Sequence, residues 1–242
     1  MKIEKLILNE ERNVTLTAYI PDISAEMPNM NVKPGILVLP GGGYSMCSDR
    51  EAEPIAFEFI AKGYNVFILR YSLNEYSVFP NPLDDAVLAL KTIIDKSDDW
   101  YTYPDRIAVC GFSAGGHLAA ALCTMSEIKP KACILGYPCI LERIGKILAN
   151  RIPGIDSLVS EDTPPTFIVA ASDDDIVPIE NSIIYANMLD KHHVPFEMHI
   201  FSKGGHGFST STDVVTIPER QDFVKNTKVW IELCLNWLSE TL

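Results

Sequence analysis

A serine between two glycines joins two segments of different character, and this arrangement constrains the fold more than any other feature of the chain. Residues 107–110 form a short apolar run typical of a buried strand, and the Ala- and Leu-rich residues 118–122 favour a helix. The residues between them, Gly111 to Gly115 (GFSAG), therefore predict a sharp strand-to-helix turn with Ser113 at its tip. Glycines suit such a turn because a Cβ atom would prevent close packing of strand on helix.

The rest of the chain alternates strand-like apolar runs with helical segments. The predicted strands comprise residues 35–39, 64–70, 106–110, 131–136, 166–171 and 196–201, and residues 14–20 alternate apolar and polar side chains as an antiparallel strand does. The predicted helices comprise residues 54–62, 81–95, 118–122, 179–191 and 219–238. Strands that are apolar throughout indicate a mostly parallel sheet with helices on both faces, whose active site lies at the carboxyl ends of the strands.

Composition limits the domain organisation and the classes of partner. The 242 residues, 47% of them hydrophobic, fit a single α/β domain over residues 1–242, with a cap-like insertion rich in Pro, Gly, Ser and Asp around residues 139–165. A formal net charge of −12 argues against nucleic acid and against an anionic membrane surface as partners. The six cysteines lack C-x-x-C pairing and the first residues lack an apolar leader, so we expect a reduced, cytoplasmic protein. Composition does not decide whether the protein forms a homo-oligomer.

A serine hydroxyl needs a histidine as general base, and that histidine needs a carboxylate to hold it. Of the five histidines, His206 lies in the glycine-rich turn of residues 204–208, directly after the last predicted strand. The other four lie in a predicted helix, at a helix end or within a strand. A turn at the carboxyl edge of the sheet can place a base over a nucleophile on a neighbouring strand, so His206 is the candidate partner of Ser113.

Three consecutive acids follow a buried strand and precede His206 in the chain, which is the position of the acid in a Ser–Asp–His order. These are Asp173, Asp174 and Asp175. Three adjacent carboxylates cannot all face one imidazole, and an acidic turn or helix cap is the alternative interpretation, better suited to Asp173 and Asp175.

The tetrahedral intermediate of acyl transfer needs hydrogen-bond donors for its oxyanion. Ala114, the residue after the candidate nucleophile, supplies one backbone N–H group. The glycine run of residues 41–43 ends another buried strand and can supply more, because glycine lets the backbone approach a ligand closely. A phosphate-binding loop is the alternative for that run, but the glycine spacings of such loops are absent.

Together these motifs resemble the esterase and lipase branch of the α/β-hydrolase superfamily, which includes acetylxylan esterase- and feruloyl esterase-like proteins. The resemblance extends from about Pro34 onward and rests on residues 40–44, 50–54, 70–72, 111–117, 163–167, 174–182 and 204–208. It implies an α/β-hydrolase fold. In that branch the acid begins a D-x-x-V-P pattern, which only Asp174 fits. By position, Gly42 and Gly43 match the oxyanion-hole glycines, although Pro40 stands where the family commonly has histidine.

The resemblance further implies carboxylic ester hydrolysis through an acyl-Ser113 intermediate, with no metal and no cofactor. The implied partner is a small-molecule ester with a short acyl group such as acetyl, and a carbohydrate is one candidate for its alcohol part. Tyr44, Arg50 and Glu51 are candidate substrate-binding residues, and an ion pair that braces the oxyanion loop is an equal alternative for Arg50 and Glu51. The role of Tyr44 is open in the same way, between binding substrate and supporting the loop. The competing functions are a serine peptidase of the prolyl-oligopeptidase type and a non-catalytic binding protein on the same fold.

Overall fold

An eight-stranded sheet forms the centre of the computed structural model, which describes residues 1–242 except for the side chains of residues 145–147 and 223. The strands are β1 (Lys2–Asn9), β2 (Val14–Ile20), β3 (Lys33–Leu39), β4 (Asn65–Arg70), β5 (Thr102–Phe112), β6 (Ala132–Gly136), β7 (Thr166–Ala171) and β8 (Phe196–Phe201). The helices are α1 (Glu53–Ile60), α2 (Asn81–Asp95), α3 (Ala114–Met125), α4 (Glu180–Lys191), α5 (Gln221–Val224) and α6 (Trp230–Thr241).

The sheet has the strand order β1-β2-β4-β3-β5-β6-β7-β8. Strands β3 to β8 run parallel, and β2 is antiparallel to both β1 and β4. The predicted mostly parallel α/β sheet is confirmed. β1 and β2 are joined by a short turn, whereas every parallel pair needs a crossover. Because β2 is antiparallel to both of its neighbours, β2 is the strand that departs from the common direction.

Alternate residues of the central strands enter two separate hydrophobic cores. In β3, Leu37 and Leu39 pack into the core on the side of α2, α3 and α4, whereas Ile36 and Val38 pack on the side of α1 and α6. All four side chains are fully buried. Full burial of a Leu or Ile side chain stabilises the fold by roughly 1.5–3 kcal/mol, so a polar residue on either face of β3 would be costly. This two-sided burial explains why the central strands β3, β4, β6 and β7 are almost entirely apolar.

Strand pairing brings the ends of three strands to the same edge. Leu39 of β3 pairs with Gly111 of β5, and Phe112 of β5 pairs with Gly136 of β6. The glycine-rich loop after β3 therefore lies beside the turn after β5. Further along the same edge of the sheet, Ala171 of β7 pairs with Phe201 of β8, so the loops that follow these two strands are also neighbours.

The structure differs from the sequence prediction at both ends of the chain. β1 was not predicted, and it is an edge strand whose outer face remains largely exposed. The single helix predicted over residues 219–238 is wrong, since α6 begins only at Trp230. Tertiary contacts interrupt the segment: the buried Thr227 hydroxyl binds Val224 O, and Trp230 Nε1 donates to Ser209 O.

Residues 139–165 connect β6 to β7 and contain short 3₁₀ turns at Glu142–Ile147 and Asp156–Leu158. Asn181 Oδ1 of α4 accepts hydrogen bonds from the backbone N–H groups of Ile140 and Leu141. Ala149 N donates to Gly43 O, 2.8 Å away, so the insertion is also attached to the loop after β3. Among the described residues, the helices are too short or too polar to cross a bilayer.

Candidate active site

Ser113 lies at the tip of the turn between β5 and α3 in a conformation that side chains rarely adopt, with φ of 52° and ψ of −117°. The glycines on either side allow this turn. A Cβ atom on Gly111 would lie 2.2 Å from Gly115 O, and one on Gly115 would lie 2.1 Å from Leu39 O. The predicted strand-to-helix turn is confirmed. Its strain directs the Ser113 hydroxyl outward at the carboxyl edge of the sheet.

His206 lies between Ser113 and Asp174 and forms a hydrogen bond with each of them. Its Nε2 is 2.8 Å from Ser113 Oγ, and its Nδ1 is 2.7 Å from Asp174 Oδ2. An ionised carboxylate only accepts, so Nδ1 carries the proton and Nε2 is left to accept from the serine hydroxyl. The structure thus brings together three residues that are 61 or 32 positions apart in sequence, as the sequence reasoning expected.

The carboxyl group of Asp174 is oriented by the backbone of its own loop. Asp174 Oδ1 accepts hydrogen bonds from Ile176 N at 3.0 Å and from Val177 N at 2.8 Å. The neighbouring acids have other surroundings. Asp173 Oδ1 accepts from Gly205 N at 2.9 Å, and Asp175 is exposed. Of the three, only Asp174 reaches the imidazole, while Asp173 anchors the turn that carries it.

Arg220 also holds this turn and was not predicted from the sequence. Its guanidinium donates to Gly204 O at 2.8 Å and to His206 O at 3.1 Å. Arg220 ends a 3₁₀ turn in the segment before α6, where the sequence analysis expected a continuous helix. An arginine in a supposed exposed helix gives no signal of such a role, so only the tertiary structure identifies it.

The glycine loop after β3 lies beside Ser113 and presents backbone N–H groups. Gly42 and Gly43 have φ of 127° and 64° and line a cavity of about 370 Å³ together with Ser113 and His206. The carbonyl of Gly42 accepts from Ser45 N, and that of Gly43 accepts from Ala149 N. Within the described part of the chain, no acceptor faces the amides of Gly42 and Gly43. They remain available as donors to a ligand, as does the first-turn amide of Ala114.

Tyr44 does not contribute its side chain to this cavity, so the prediction that it binds substrate is wrong. Tyr44 is fully buried, and its hydroxyl is 2.8 Å from His117 Nδ1. On the other side of that ring, His117 Nε2 lies 2.9 Å from Pro153 O, which can only accept. The proton is therefore on Nε2, and Tyr44 donates to Nδ1. Burial lowers the pKa of His117 to about 4, which keeps the imidazole neutral.

Arg50 and Glu51 both border the cavity but differ in exposure. Arg50 is exposed, whereas Glu51 is only 3% exposed. Glu51 Oε2 accepts from Gly41 N at 2.8 Å, and Glu51 Oε1 accepts from the Tyr137 hydroxyl at 2.7 Å. Burial raises the pKa of Glu51, while these two hydrogen bonds favour its charged form. Glu51 therefore braces the loop after β3 through hydrogen bonds to Gly41 N and the Tyr137 hydroxyl, and among the described side chains no salt bridge joins it to Arg50.

Comparisons with known proteins identify related families and fold neighbours. Residues 81–241 match the Dienelactone hydrolase family, and residues 22–135 match the BD-FAE family. The chain is 28% identical over 229 residues to an acetylxylan esterase of Xylanibacter ruminicola, covering 86% of this chain and 46% of that protein. The chain spans 37% and 46% of the length of the two curated relatives that it matches over 85% and 86% of its own residues.

Solved structures match over nearly the full length. MGS-M1, an α/β-hydrolase enzyme from a Medee basin deep-sea metagenome library, has 42% identity and a TM-score of 0.94, covering 100% of this chain and 98% of that chain. An acetyl ester-xyloside bifunctional hydrolase from Caldicellulosiruptor lactoaceticus has 32% identity and a TM-score of 0.83, covering 99% and 96%. The resemblance to the esterase branch of the α/β-hydrolases is confirmed.

Proposed function

The chain belongs to the Dienelactone hydrolase family, and on that premise we propose that it is a carboxylic ester hydrolase that acts through an acyl-Ser113 intermediate. One observation carries the proposal. Hydrogen bonds run without a break from Ser113 Oγ through both nitrogens of His206 to Asp174, beside a cavity that Gly42 and Gly43 help to line. This arrangement supplies a nucleophile, a general base, a carboxylate that orients the base, and oxyanion donors.

In the first step, Ser113 Oγ bonds to the carbonyl carbon of the ester while its proton moves to His206 Nε2. The imidazole becomes positively charged, and the Asp174 carboxylate stabilises it through the 2.7 Å hydrogen bond at Nδ1. The carbonyl oxygen gains the electron pair of the broken π bond. Amides of Gly42, Gly43 and Ala114 stabilise that negative charge, and each such donor contributes about 3 kcal/mol in enzymes of this type.

In the second step, the oxyanion re-forms the carbonyl and the bond to the leaving oxygen breaks. His206 Nε2 gives its proton to that oxygen, and a neutral alcohol departs. Water then attacks the acyl-Ser113 carbonyl, with His206 again accepting a proton and returning it to Ser113 Oγ. The products are a carboxylic acid and the free enzyme, and every proton in the cycle passes through the side chain of His206.

The proposed substrate is an acetyl or similarly short ester whose alcohol part is a carbohydrate. The names of the relatives, an acetylxylan esterase and an acetyl ester-xyloside hydrolase, support this class. The cavity beside Ser113 combines apolar side chains, among them Leu148 and Ile176, with the exposed guanidinium of Arg50. We assign the apolar part to the acyl group and Arg50 to the hydroxyl-bearing alcohol.

A fluorophosphonate probe tests the nucleophile without assuming a substrate. Wild-type protein should become labelled on Ser113, and the Ser113→Ala variant should not. The substrate class is tested with p-nitrophenyl esters from acetyl to octanoyl, with acetylated xylo-oligosaccharides and with matched amides. We expect the highest kcat/KM on acetyl esters and little on amides. Labelling that persists in Ser113→Ala, or faster cleavage of the amides, would contradict the proposed function.

A further inference from the structure

Glu51 is a buried carboxylate that connects the loops of the candidate site, and the mechanism above does not use it. Through Gly41 N it holds the start of the oxyanion loop, and through the Tyr137 hydroxyl it holds the loop after β6. Tyr137 reaches the histidine loop as well, because its hydroxyl accepts from Ser209 N at 3.1 Å. One carboxylate thus joins three segments that meet at Ser113.

The directions of these hydrogen bonds are fixed by the chemistry of the donors. Backbone N–H groups only donate, so Gly41 N donates to Glu51 Oε2 and Ser209 N donates to the Tyr137 oxygen. The Tyr137 proton therefore points to Glu51 Oε1. Both oxygens of Glu51 accept, which is the pattern of an ionised carboxylate and leaves no acceptor for a carboxyl proton. Glu51 is a buried negative charge.

A buried negative charge is most stable near a positive one. The titratable groups that interact with Glu51 are Cys47, Arg50, Tyr71, Cys110, Tyr137, Cys139 and His206. Only Arg50 and His206 can be positively charged, and Arg50 is exposed. The Tyr137 ring packs edge-on against the His206 ring, with centroids 5.1 Å apart, so Glu51 and the imidazole meet the same side chain.

The surroundings of His206 include further charges. Asp174 binds its Nδ1, Asp173 binds the N–H of Gly205, and Arg220 binds the carbonyl of His206 itself. Asp173 and Arg220 have opposite charges and contact the backbone of the turn rather than the ring. Asp174 and Glu51 are therefore the two carboxylates in a position to respond when the ring becomes protonated.

We propose that Glu51 is a positioning residue that fixes the oxyanion loop. As a second carboxylate in addition to Asp174, it stabilises the protonated imidazole of His206 during acyl transfer. This proposal rests on the proposed function. The charge of Glu51 acts through a buried, water-poor region, where electrostatic interactions are stronger than at the surface. It acts on His206, the side chain that becomes positively charged and neutral again in each half of the reaction.

The test is the pH dependence of fluorophosphonate labelling in Glu51→Gln, which removes the charge and keeps the size of the side chain. Without the negative charge, protonation of the His206 ring is less favourable. The acid limb of the labelling profile should move by about one pH unit to lower pH. The rate on the plateau should fall about tenfold, because the same interaction is lost in the transition state.

Two further variants separate charge from structure. Glu51→Asp keeps the charge, so its acid limb should stay at the wild-type position even if the rate falls. Tyr71→Phe is the matched control for a loosened loop, because it removes the 2.5 Å hydrogen bond to Pro40 O and leaves the charges near His206 unchanged. It should slow labelling without moving the acid limb. Near-UV circular dichroism verifies that each variant is folded.

An unshifted acid limb in folded Glu51→Gln would overturn the proposal, as would an equal shift in Tyr71→Phe. If Glu51→Gln does not fold, Glu51→Asp decides: an acid limb at the wild-type position supports the charge role, and a limb displaced by about one pH unit overturns it. Wild-type protein that is not labelled on Ser113 contradicts the proposed function itself. Wild type that is labelled, together with an unshifted variant, contradicts only the role of Glu51.

Discussion

Asp174→Asn tests the assignment of the acid most directly. Two backbone donors, Ile176 N and Val177 N, point at Asp174 Oδ1 and cannot be reversed. The amide oxygen of asparagine must face them, which turns its NH₂ group toward His206 Nδ1. That nitrogen would then have to accept, and the ring proton would move to Nε2. An imidazole protonated on Nε2 cannot take the proton of Ser113.

The expected loss of kcat follows from this tautomer change. Inverting the tautomer in enzymes with the same constellation costs about 10⁴ in turnover, which corresponds to about 5.4 kcal/mol in the activation barrier. The fold should survive, because asparagine fits the same space and keeps the contacts with Ile176 and Val177. The assay is hydrolysis of p-nitrophenyl acetate by wild type and variant, with folding verified by circular dichroism.

Asp173→Asn is the matched control, since asparagine can keep the hydrogen bond that Asp173 Oδ1 accepts from Gly205 N. We expect this variant to retain activity within about tenfold of wild type. An Asp174→Asn enzyme that keeps more than a tenth of wild-type turnover would refute the argument. If the same substitution at Asp173 or Asp175 caused a larger loss of activity, the assignment of Asp174 as the acid would be wrong.

Two further predictions concern stability. Gly115→Ala should destabilise the protein by at least about 3 kcal/mol in guanidinium unfolding, because its Cβ would lie 2.1 Å from Leu39 O. Gly154→Ala is the control that should be tolerated, since the nearest contact of its Cβ would be 3.1 Å. Equal unfolding midpoints of the two variants would contradict this reasoning. His117 has a pKa of about 4 when folded against 6.5 as its ordinary value, so the unfolded chain binds the proton more readily between these values. The contribution of neutral His117 to the free energy of unfolding is fully present above pH 6.5 and is lost as the pH falls toward 4. The loss amounts to about 2.5 kcal/mol at about pH 4.5. The His117→Gln variant should therefore lose less stability than wild type between about pH 7 and about pH 4.5, measured by urea unfolding. If the free energy of unfolding falls equally in both proteins, the reasoning is refuted.

The positions of Ser113, of His206 and of the three acids at 173–175 could be predicted because each follows the end of a strand, and the resemblance to the esterase branch selected Asp174 among the acids by its D-x-x-V-P pattern. β5 and β7 end in buried apolar runs, so their ends are evident in the sequence, and parallel strands bring their carboxyl ends to one edge. The direction of a side chain in a glycine-rich loop is not predictable in this way. Tyr44 has a φ of 62°, which turns its ring into the core rather than into the cavity. No periodicity in the sequence contains that information.

The roles of Glu51 and Arg220 depend on contacts between distant segments. The Glu51 carboxylate meets the Tyr137 hydroxyl 86 positions later, and Arg220 binds a turn that precedes it by 14 to 16 positions. The sequence showed an acid next to an arginine and suggested an ion pair between them. In the fold, however, the buried hydroxyl and the buried amide of Gly41 are closer partners for the acid. A neighbour in sequence was a poor guide to the neighbour in space.

The hydrogen bond between Ala149 N and Gly43 O has a consequence for redesign of the enzyme. The insertion of residues 139–165 contributes Leu148 to the wall of the cavity, and the next residue holds the loop that carries the oxyanion donors. Under the proposed function, this contact links the segment that contributes to substrate choice with the loop that carries the proposed oxyanion donors. Exchanging this segment for that of a relative, in order to accept a bulkier ester, would also shift the Gly43 backbone. Variants designed for a different substrate should therefore keep the hydrogen bond from residue 149 N to Gly43 O.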